Sequence, residues 1–324
     1  MRLPMIQFCC AAALTSLSVQ AQDPVPPQPG AAFRSRVSMV ALTVAVQDAR
    51  ARYITGLQPA DFAVYEDGIR QDVQFFEADL LPVDLIVLLD GSRSMEGKVE
   101  TVRAAAQMFL DTLRPGDRGA VVAFNDRVRI VQSLTDDREA LTAALRSAGA
   151  SGNTALHNAL YVALKQFAAA PGTSGAVRRQ AIAVLSDGED TASLVSFDDV
   201  LALARRTGIN IYTVRLRAPG DTGRQTFVGV PQFFAEAEFA MKTLARETGA
   251  LAFAPTLDQL RRVYASIAED IASQYSIGYQ PSSAIRAIGF HRISVQVVTR
   301  PELRTRTRAG YLDDRAPAAA PEAR

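Results

Sequence analysis

The sequence predicts an α/β fold: a doubly wound, mostly parallel sheet, joined by a small β-sandwich-like domain built from both flanks. Three observations carry this. Leu85 to Leu89 is an unbroken aliphatic run, the pattern of a strand buried on both faces inside a parallel sheet. From Asp84 to Ile271, similar runs alternate with segments whose apolar residues recur at helical spacing, which implies right-handed crossovers. The flanks instead show period-two alternation between turn residues, and neither flank has enough strands to bury a core alone.

Taken in order, Met1 to Ala21 has one early arginine (Arg2), an apolar stretch from Met5 to Leu17, and a small-residue end, Ser18-Val-Gln-Ala21. That is the layout of a secretory signal peptide, with cleavage expected after Ala21. Gln7, Thr15 and Ser16 interrupt the stretch, which argues against a membrane anchor of about 20 apolar residues. No lipoprotein processing box precedes Cys9 or Cys10. These are the chain's only cysteines, so the expected mature protein, periplasmic or extracellular, has neither a disulfide nor a cysteine metal site. Residues 22–35, with Pro24, Pro26, Pro27 and Pro29, read as a linker.

Residues 36–80 form the expected N-terminal part of the β domain. Val40, Leu42, Val44 and Val46 alternate as in a half-buried strand. The segment Asp61 to Phe76 reads as a hairpin about Asp67-Gly68, because both central residues of such a turn need positive φ.

The α/β domain is expected over residues 83–273. After the opening strand, Val99, Val102, Ala106, Phe109 and Leu113 mark a helix. Arg118 to Phe124 and Val128 to Val131 read as strands. Asp136 with Glu139 suggests a capping box for a helix through Leu141 and Leu145. Thr154 to Phe167 is a further helix, Arg179 to Leu185 a buried strand, and Ser196 with Asp199 the cap of the next helix. Ile209 to Val214 and Gly249 to Ala254 complete the strands, and Thr256 to Ile271 is a final long helix. Arg217 to Phe239 reads as an inserted loop or hairpin. Residues 274–312 complete the β domain, with His291 to Val298 alternating as a strand, and residues 313–324 form a disordered tail.

With 35 basic and 34 acidic residues the net charge is +1, and there is no basic stripe, so the footprint of a nucleic-acid binder is missing. No later segment is long and apolar enough to span a bilayer.

Three polar clusters fall after these strands: Asp90-Gly-Ser92-Arg-Ser94, Gly152-Asn153-Thr154, and Ser186-Asp187-Gly188. Loops at the carboxyl ends of neighbouring strands converge in doubly wound sheets. Together the clusters offer carboxylates and hydroxyls with no histidine or cysteine, a donor set for a hard cation such as Mg2+. The same residue types also build ordinary turns and helix caps.

The set resembles the metal-ion-dependent adhesion site of von Willebrand factor type A domains: Asp-x-Ser-x-Ser, a threonine on a second loop, and Asp-Gly on a third. The resemblance implies that Ser92, Ser94 and Thr154 ligate Mg2+, or alternatively Mn2+ or Ca2+, while Asp90 and Asp187 mostly hold ligating waters. Neutral hydroxyl ligands leave the ion much of its charge, so a partner's Asp or Glu can complete its shell. The flanking Asp61-Phe-x-Val-Tyr65-Glu-Asp-Gly and Gln274-Tyr-Ser-Ile-Gly-Tyr279-Gln-Pro281 are similar to those of exported "VWFA-related" proteins typical of Acidobacteria.

The expected function is a non-enzymatic, Mg2+-dependent protein-binding module of the cell-adhesion kind. One alternative is an enzyme similar to haloacid-dehalogenase-like phosphotransferases, with Asp90 as nucleophile. Ser92 stands where those enzymes carry a second acid, and a serine hydrolase has no suitably placed histidine base. Another alternative is a structural protein whose metal only stabilises the fold. His157, one helical turn beyond Thr154, reads as an orienting or surface residue and His291 as structural. Glu189 and Asp190 read as a solvated acidic loop rather than a second ion site.

Overall fold

The computed structural model describes residues 39–78, 81–147, 149–169, 177–186, 190–217, 232–282 and 288–313. The expected signal peptide and linker, and residues 314–324 of the expected tail, lie outside them.

The N-terminal flank supplies β1 (Val40–Gln47), β2 (Phe62–Glu66), β3 (Ile69–Gln71) and β4 (Val73–Glu77). The central segment runs β5 (Val83–Asp90), α1 (Val99–Asp111), β6 (Arg118–Phe124), β7 (Val128–Thr135), α2 (Arg138–Arg146) and α3 (Leu156–Ala169). It continues through β8 (Arg179–Ser186), α4 (Phe197–Thr207), β9 (Asn210–Arg215), α5 (Gln232–Thr248), β10 (Ala252–Phe253) and α6 (Leu260–Ala272). The C-terminal flank adds β11 (Tyr275–Tyr279), β12 (Gly289–Val297), β13 (Arg304–Arg306) and β14 (Gly310–Asp313).

The central segment forms one six-stranded sheet in the order β10-β9-β8-β5-β6-β7, parallel except for the β6–β7 edge pair. Every residue of β5 is buried, because successive side chains enter opposite faces and both faces are covered. Leu85, Val87 and Leu89 pack with Phe109 and Leu110 of α1 and with Tyr264 and Ile267 of α6. Ile86 and Leu88 pack with Leu160 and Leu164 of α3, Val200 of α4 and Leu244 of α5. Burying each of these side chains contributes about 1.5–3 kcal/mol.

The two acids of β5 have different surroundings. At the strand's start, buried Asp84 accepts two hydrogen bonds from Arg118 (2.8 and 2.7 Å) and one from Arg178 (2.8 Å). These charge-assisted bonds hold the strand's entry. Asp90, at the exit, points to the candidate site.

The flanking strands make two four-stranded sheets, β13-β1-β11-β4 and β14-β12-β2-β3. Each draws strands from both ends of the chain, and the two share one core containing Leu42, Val44, Phe62, Val64, Tyr275, Ile277, Ile293 and Val295. The β2–β3 hairpin turns at Asp67 (φ +49°) and Gly68 (φ +83°), the backbone expected from Asp-Gly.

A buried carboxylate ties this sandwich to the central sheet. Asp270 of α6, with no exposed surface, accepts from the hydroxyls of Tyr53 and Tyr212 (2.6 Å each), from Arg306 and from Gln274 (3.3 Å). Burial, reinforced by Asp270, pushes the Tyr212 phenol well up, so it remains a donor. Nearby, buried Arg179 donates to the Ile271 carbonyl (2.8 Å), and burial first, then Arg114, brings its guanidinium down to about 10.

Several local expectations change. Asp137, not Asp136, caps α2, accepting from the N–H groups of Glu139 (2.9 Å) and Ala140 (3.0 Å). The cap must be the extended residue directly before the first turn, and Asp137 is so placed, its own N–H donating to the Thr135 hydroxyl (3.1 Å). Helix α3 begins at Leu156 rather than Thr154, because the Thr154 carbonyl is taken by the N–H groups of Thr191 and Ala192. The strand expected over Gly249 to Ala254 shrinks to Ala252–Phe253. Helix α5 starts at Gln232, inside the segment read as a loop or hairpin, and residues 218–231 lie outside the described residues. Asp313, expected to begin the tail, ends β14.

Candidate metal centre

Asp90 leaves β5 buried, with both carboxylate oxygens engaged. Its Oδ1 accepts the Ser92 N–H (2.8 Å) and its Oδ2 accepts the hydroxyl of Ser186 (2.6 Å), the last residue of neighbouring β8. Ser186 has no exposed surface. Sequence reasoning placed it in the third cluster without a role, and a serine ending a buried strand beside the acid's strand was the available signal.

The first loop then turns tightly. Ser92 precedes a short 3-10 turn, Arg93–Met95, whose Met95 is fully buried and anchors the loop in the core. The turn brings Ser92 Oγ and Ser94 Oγ together at 2.9 Å, where the two hydroxyls share a hydrogen bond.

Backbone hydrogen bonds stitch the loops together. The Gly91 N–H donates to the Phe124 carbonyl (2.7 Å), Ser151 N–H to the Gly91 carbonyl (2.7 Å), and Arg93 N–H to the Gly152 carbonyl (3.0 Å). The second loop is fastened to the third through Thr154, whose N–H donates to the Thr191 hydroxyl (3.1 Å). Thr154 itself is buried. Asp90, Ser92, Ser94 and Thr154 are therefore carried on two loops in direct contact. Asp187 lies outside the described residues, as do Gly188 and Glu189.

Gly91 is required by close approach. A Cβ there would stand 2.3 Å from the Gly149 carbonyl oxygen, a backbone atom that cannot swing aside. Gly91→Ala is expected to destabilise the fold by about 1–3 kcal/mol, as overpacking does, read from the midpoint of urea unfolding. An unchanged midpoint would mean that the loops yield easily.

Asp190 was expected in a solvated acidic loop, with an ion site as the alternative. Its Oδ1 instead accepts from the Leu156 N–H (2.8 Å) and the Ser193 hydroxyl (2.7 Å), and its Oδ2 lies 3.3 Å from His157 Nδ1. A carboxylate at the start of α3 satisfies amides left over by the helix and suits its positive end. His157 is accordingly a partly buried partner of Asp190. Asn158 continues the bracket, its Oδ1 accepting from the N–H groups of Leu194 and Val195 (3.1 Å each).

The donors fit a small hard cation. Cis ligands of an octahedral ion with bonds of 2.0–2.1 Å are about 2.9 Å apart, which is the Ser92 Oγ–Ser94 Oγ separation of 2.9 Å. The Asp90 carboxylate has its orientation set by the Ser92 N–H and the Ser186 hydroxyl.

A family model described as von Willebrand factor type A domain matches residues 84–247, just over half of the chain. An uncharacterized protein of Synechocystis sp. is 36% identical over 113 residues, which are 34% of this chain and 26% of that protein. A UPF0353 protein of Mycobacterium marinum is 26% identical over 229 residues, 66% of each chain. The chain thus spans only part of the curated relatives it matches. Among solved structures, the vWF domain of the type V pili tip protein Mfa5 from Porphyromonas gingivalis aligns over 60% of this chain and 96% of its own, at 17% identity and a TM-score of 0.48. No described helix is long and apolar enough to cross a membrane. A family match over more than half of the chain, resting on this sheet and these loops, makes the protein a member of the von Willebrand factor type A domain family.

Proposed function

We propose that the protein binds a protein partner through a Mg2+ ion held by Ser92, Ser94 and Thr154, the partner's Asp or Glu completing the coordination. Asp90 and Asp187 orient ligating waters, and Mn2+ or Ca2+ can substitute. Domains of this family are protein-interaction modules, and the reading adds a metal, a polarity of contact and a place of action. After removal of residues 1–21 the protein acts in the periplasm or outside the cell. The α/β domain over residues 83–273 carries the contact, and the sandwich from residues 36–80 and 274–312 supports it.

The observation that carries this reading is the 2.9 Å pair of seryl hydroxyls on the turn that follows the buried Asp90. Hydroxyls transfer less charge to the ion than carboxylates would, so it stays attractive to an external acid. An enzymatic role for Asp90 is disfavoured by its burial and by the engagement of both its oxygens, which leave it poorly placed for in-line attack.

The test is affinity capture from an envelope or extracellular extract in Mg2+ and in EDTA, with wild type beside Ser92→Ala. A partner recovered only by wild type in Mg2+ is expected. Recovery of the same proteins under every condition would leave the metal a purely structural role.

A further inference from the structure

A second group of ligating side chains lies in the β-sandwich. Glu66 ends β2, Asp67 opens the hairpin turn, and His291 sits on β12, the strand paired with β2. His291 Nδ1 is 2.8 Å from Asp67 Oδ2 and 3.6 Å from Glu66 Oε1, and one ligand atom from each residue lies within 4.8 Å of the others. Those separations bracket the edge of about 3.3–3.5 Å in a tetrahedral site with bonds of 2.0–2.1 Å.

The group is held from outside as well. Tyr311 donates its hydroxyl to Glu66 Oε1 (2.9 Å), and the Arg292 N–H donates to Asp67 Oδ1 (2.8 Å). The left-handed backbone of Asp67 fixes where its carboxylate points. Such partners orient ligands in built metal sites.

An independent observation points to a cation as the ligand of this group. Glu66 has no exposed surface, yet its Oε2 has no hydrogen-bond partner. Among the described residues no lysine or arginine comes within ion-pair distance of it. Buried Arg308 lies across the Tyr311 ring, 5.5 Å from its centroid, and acts on Glu66 only through its field. The buried Tyr279 hydroxyl lies beside the same carboxylate, and burial together with that charge pushes its phenol up, but the contact falls short of a well-formed hydrogen bond. A buried carboxylate left in this state is costly unless a cation compensates it. Asp67 is 39% exposed, so an ion has a way in and a water can take the remaining position.

We propose that Glu66, Asp67 and His291 form a second metal site, which takes a divalent transition-metal ion of the zinc type. One imidazole and two carboxylates without a thiolate suit Zn2+ better than Mg2+, which prefers oxygen alone. The ion staples the β2–β3 hairpin to β12, and so joins strands from opposite ends of the chain.

The test is equilibrium dialysis of the metal-stripped full chain against Zn2+, in a Ser92→Ala, Thr154→Ala background that silences the other site. One zinc per chain is expected. Adding Asp67→Asn should weaken its affinity at least tenfold, since losing merely an outer partner costs about 10–100-fold. Asparagine tolerates the positive φ, so the turn is kept, and far-UV circular dichroism checks the fold. His291→Gln should weaken binding similarly. Absence of stoichiometric zinc in this background would overturn the site, leaving His291 as a bridge between two carboxylates. Zinc binding unaffected by Asp67→Asn would overturn it too, because the ion would then sit elsewhere.

Discussion

Asp270→Ala is expected to lower the stability of the fold by about 3–5 kcal/mol, the effect of removing one member of a buried, hydrogen-bonded charge cluster. Four side chains from three regions lose an acceptor together: Tyr53 before the hairpin, Tyr212 on β9, Gln274 after α6 and Arg306 on β13. The Tyr53 and Tyr212 hydroxyls would be left without an acceptor, Tyr212 keeping only the hydrogen bond it receives from Gln274 (3.0 Å), and the guanidinium would lose its counter-charge. Asp270→Asn keeps one carbonyl acceptor and should lose clearly less. Urea unfolding followed by circular dichroism measures both. Because the cluster joins the sandwich to the central sheet, the alanine variant should also split the single transition into two. A loss below about 1 kcal/mol would show that the surrounding cores, and not Asp270, hold the halves together.

Mg2+ is expected to raise the unfolding temperature of the wild-type protein, and EDTA to abolish the rise. An ion that binds only the folded chain adds about 2.7 kcal/mol once its free concentration reaches a hundred times Kd. Ser92→Ala removes one of the two hydroxyls that match the ion's cis edge, and Asp187→Ala removes an acid proposed to hold a ligating water. Both should unfold at the same temperature with metal as without. Neither needs to weaken the metal-free protein much, since Ser92 holds Asp90 through its backbone N–H and not its hydroxyl. No metal-dependent rise in wild type would count directly against the proposed centre.

The candidate site was readable from sequence where it depends on local spacing. Asp-x-Ser-x-Ser puts three oxygen donors on one turn after a buried run, and Asp67-Gly68 states its own turn type. The roles of Ser186 and Asp190 were not readable. Ser186 donates to a carboxylate 96 residues earlier, and Asp190 caps a helix that begins 34 residues before it. Spacing says nothing of such contacts, because neither partner interrupts the pattern of its own segment. The start of α5 was missed for a related reason: glycine, threonine and aromatic residues between Arg217 and Phe239 masked the helical period.

By itself, the sequence determined most of the segments that become strands and helices, and the surface each buries. Side-chain direction repeats every two residues in a strand and every 3.6 in a helix, so the hydrophobic pattern records it. It also determined that the flanks must combine, since neither could cover its apolar face alone. Only the tertiary structure decided how they combine. Strand β1 pairs with β11 and β13, and Glu66 meets Tyr311 across 245 residues, Tyr53 meets Asp270 across 217 and Thr43 meets Asn210 across 167. These partners are chosen by shape, register and the need of each buried polar group for a complement, and those quantities exist only once the chain has closed on itself.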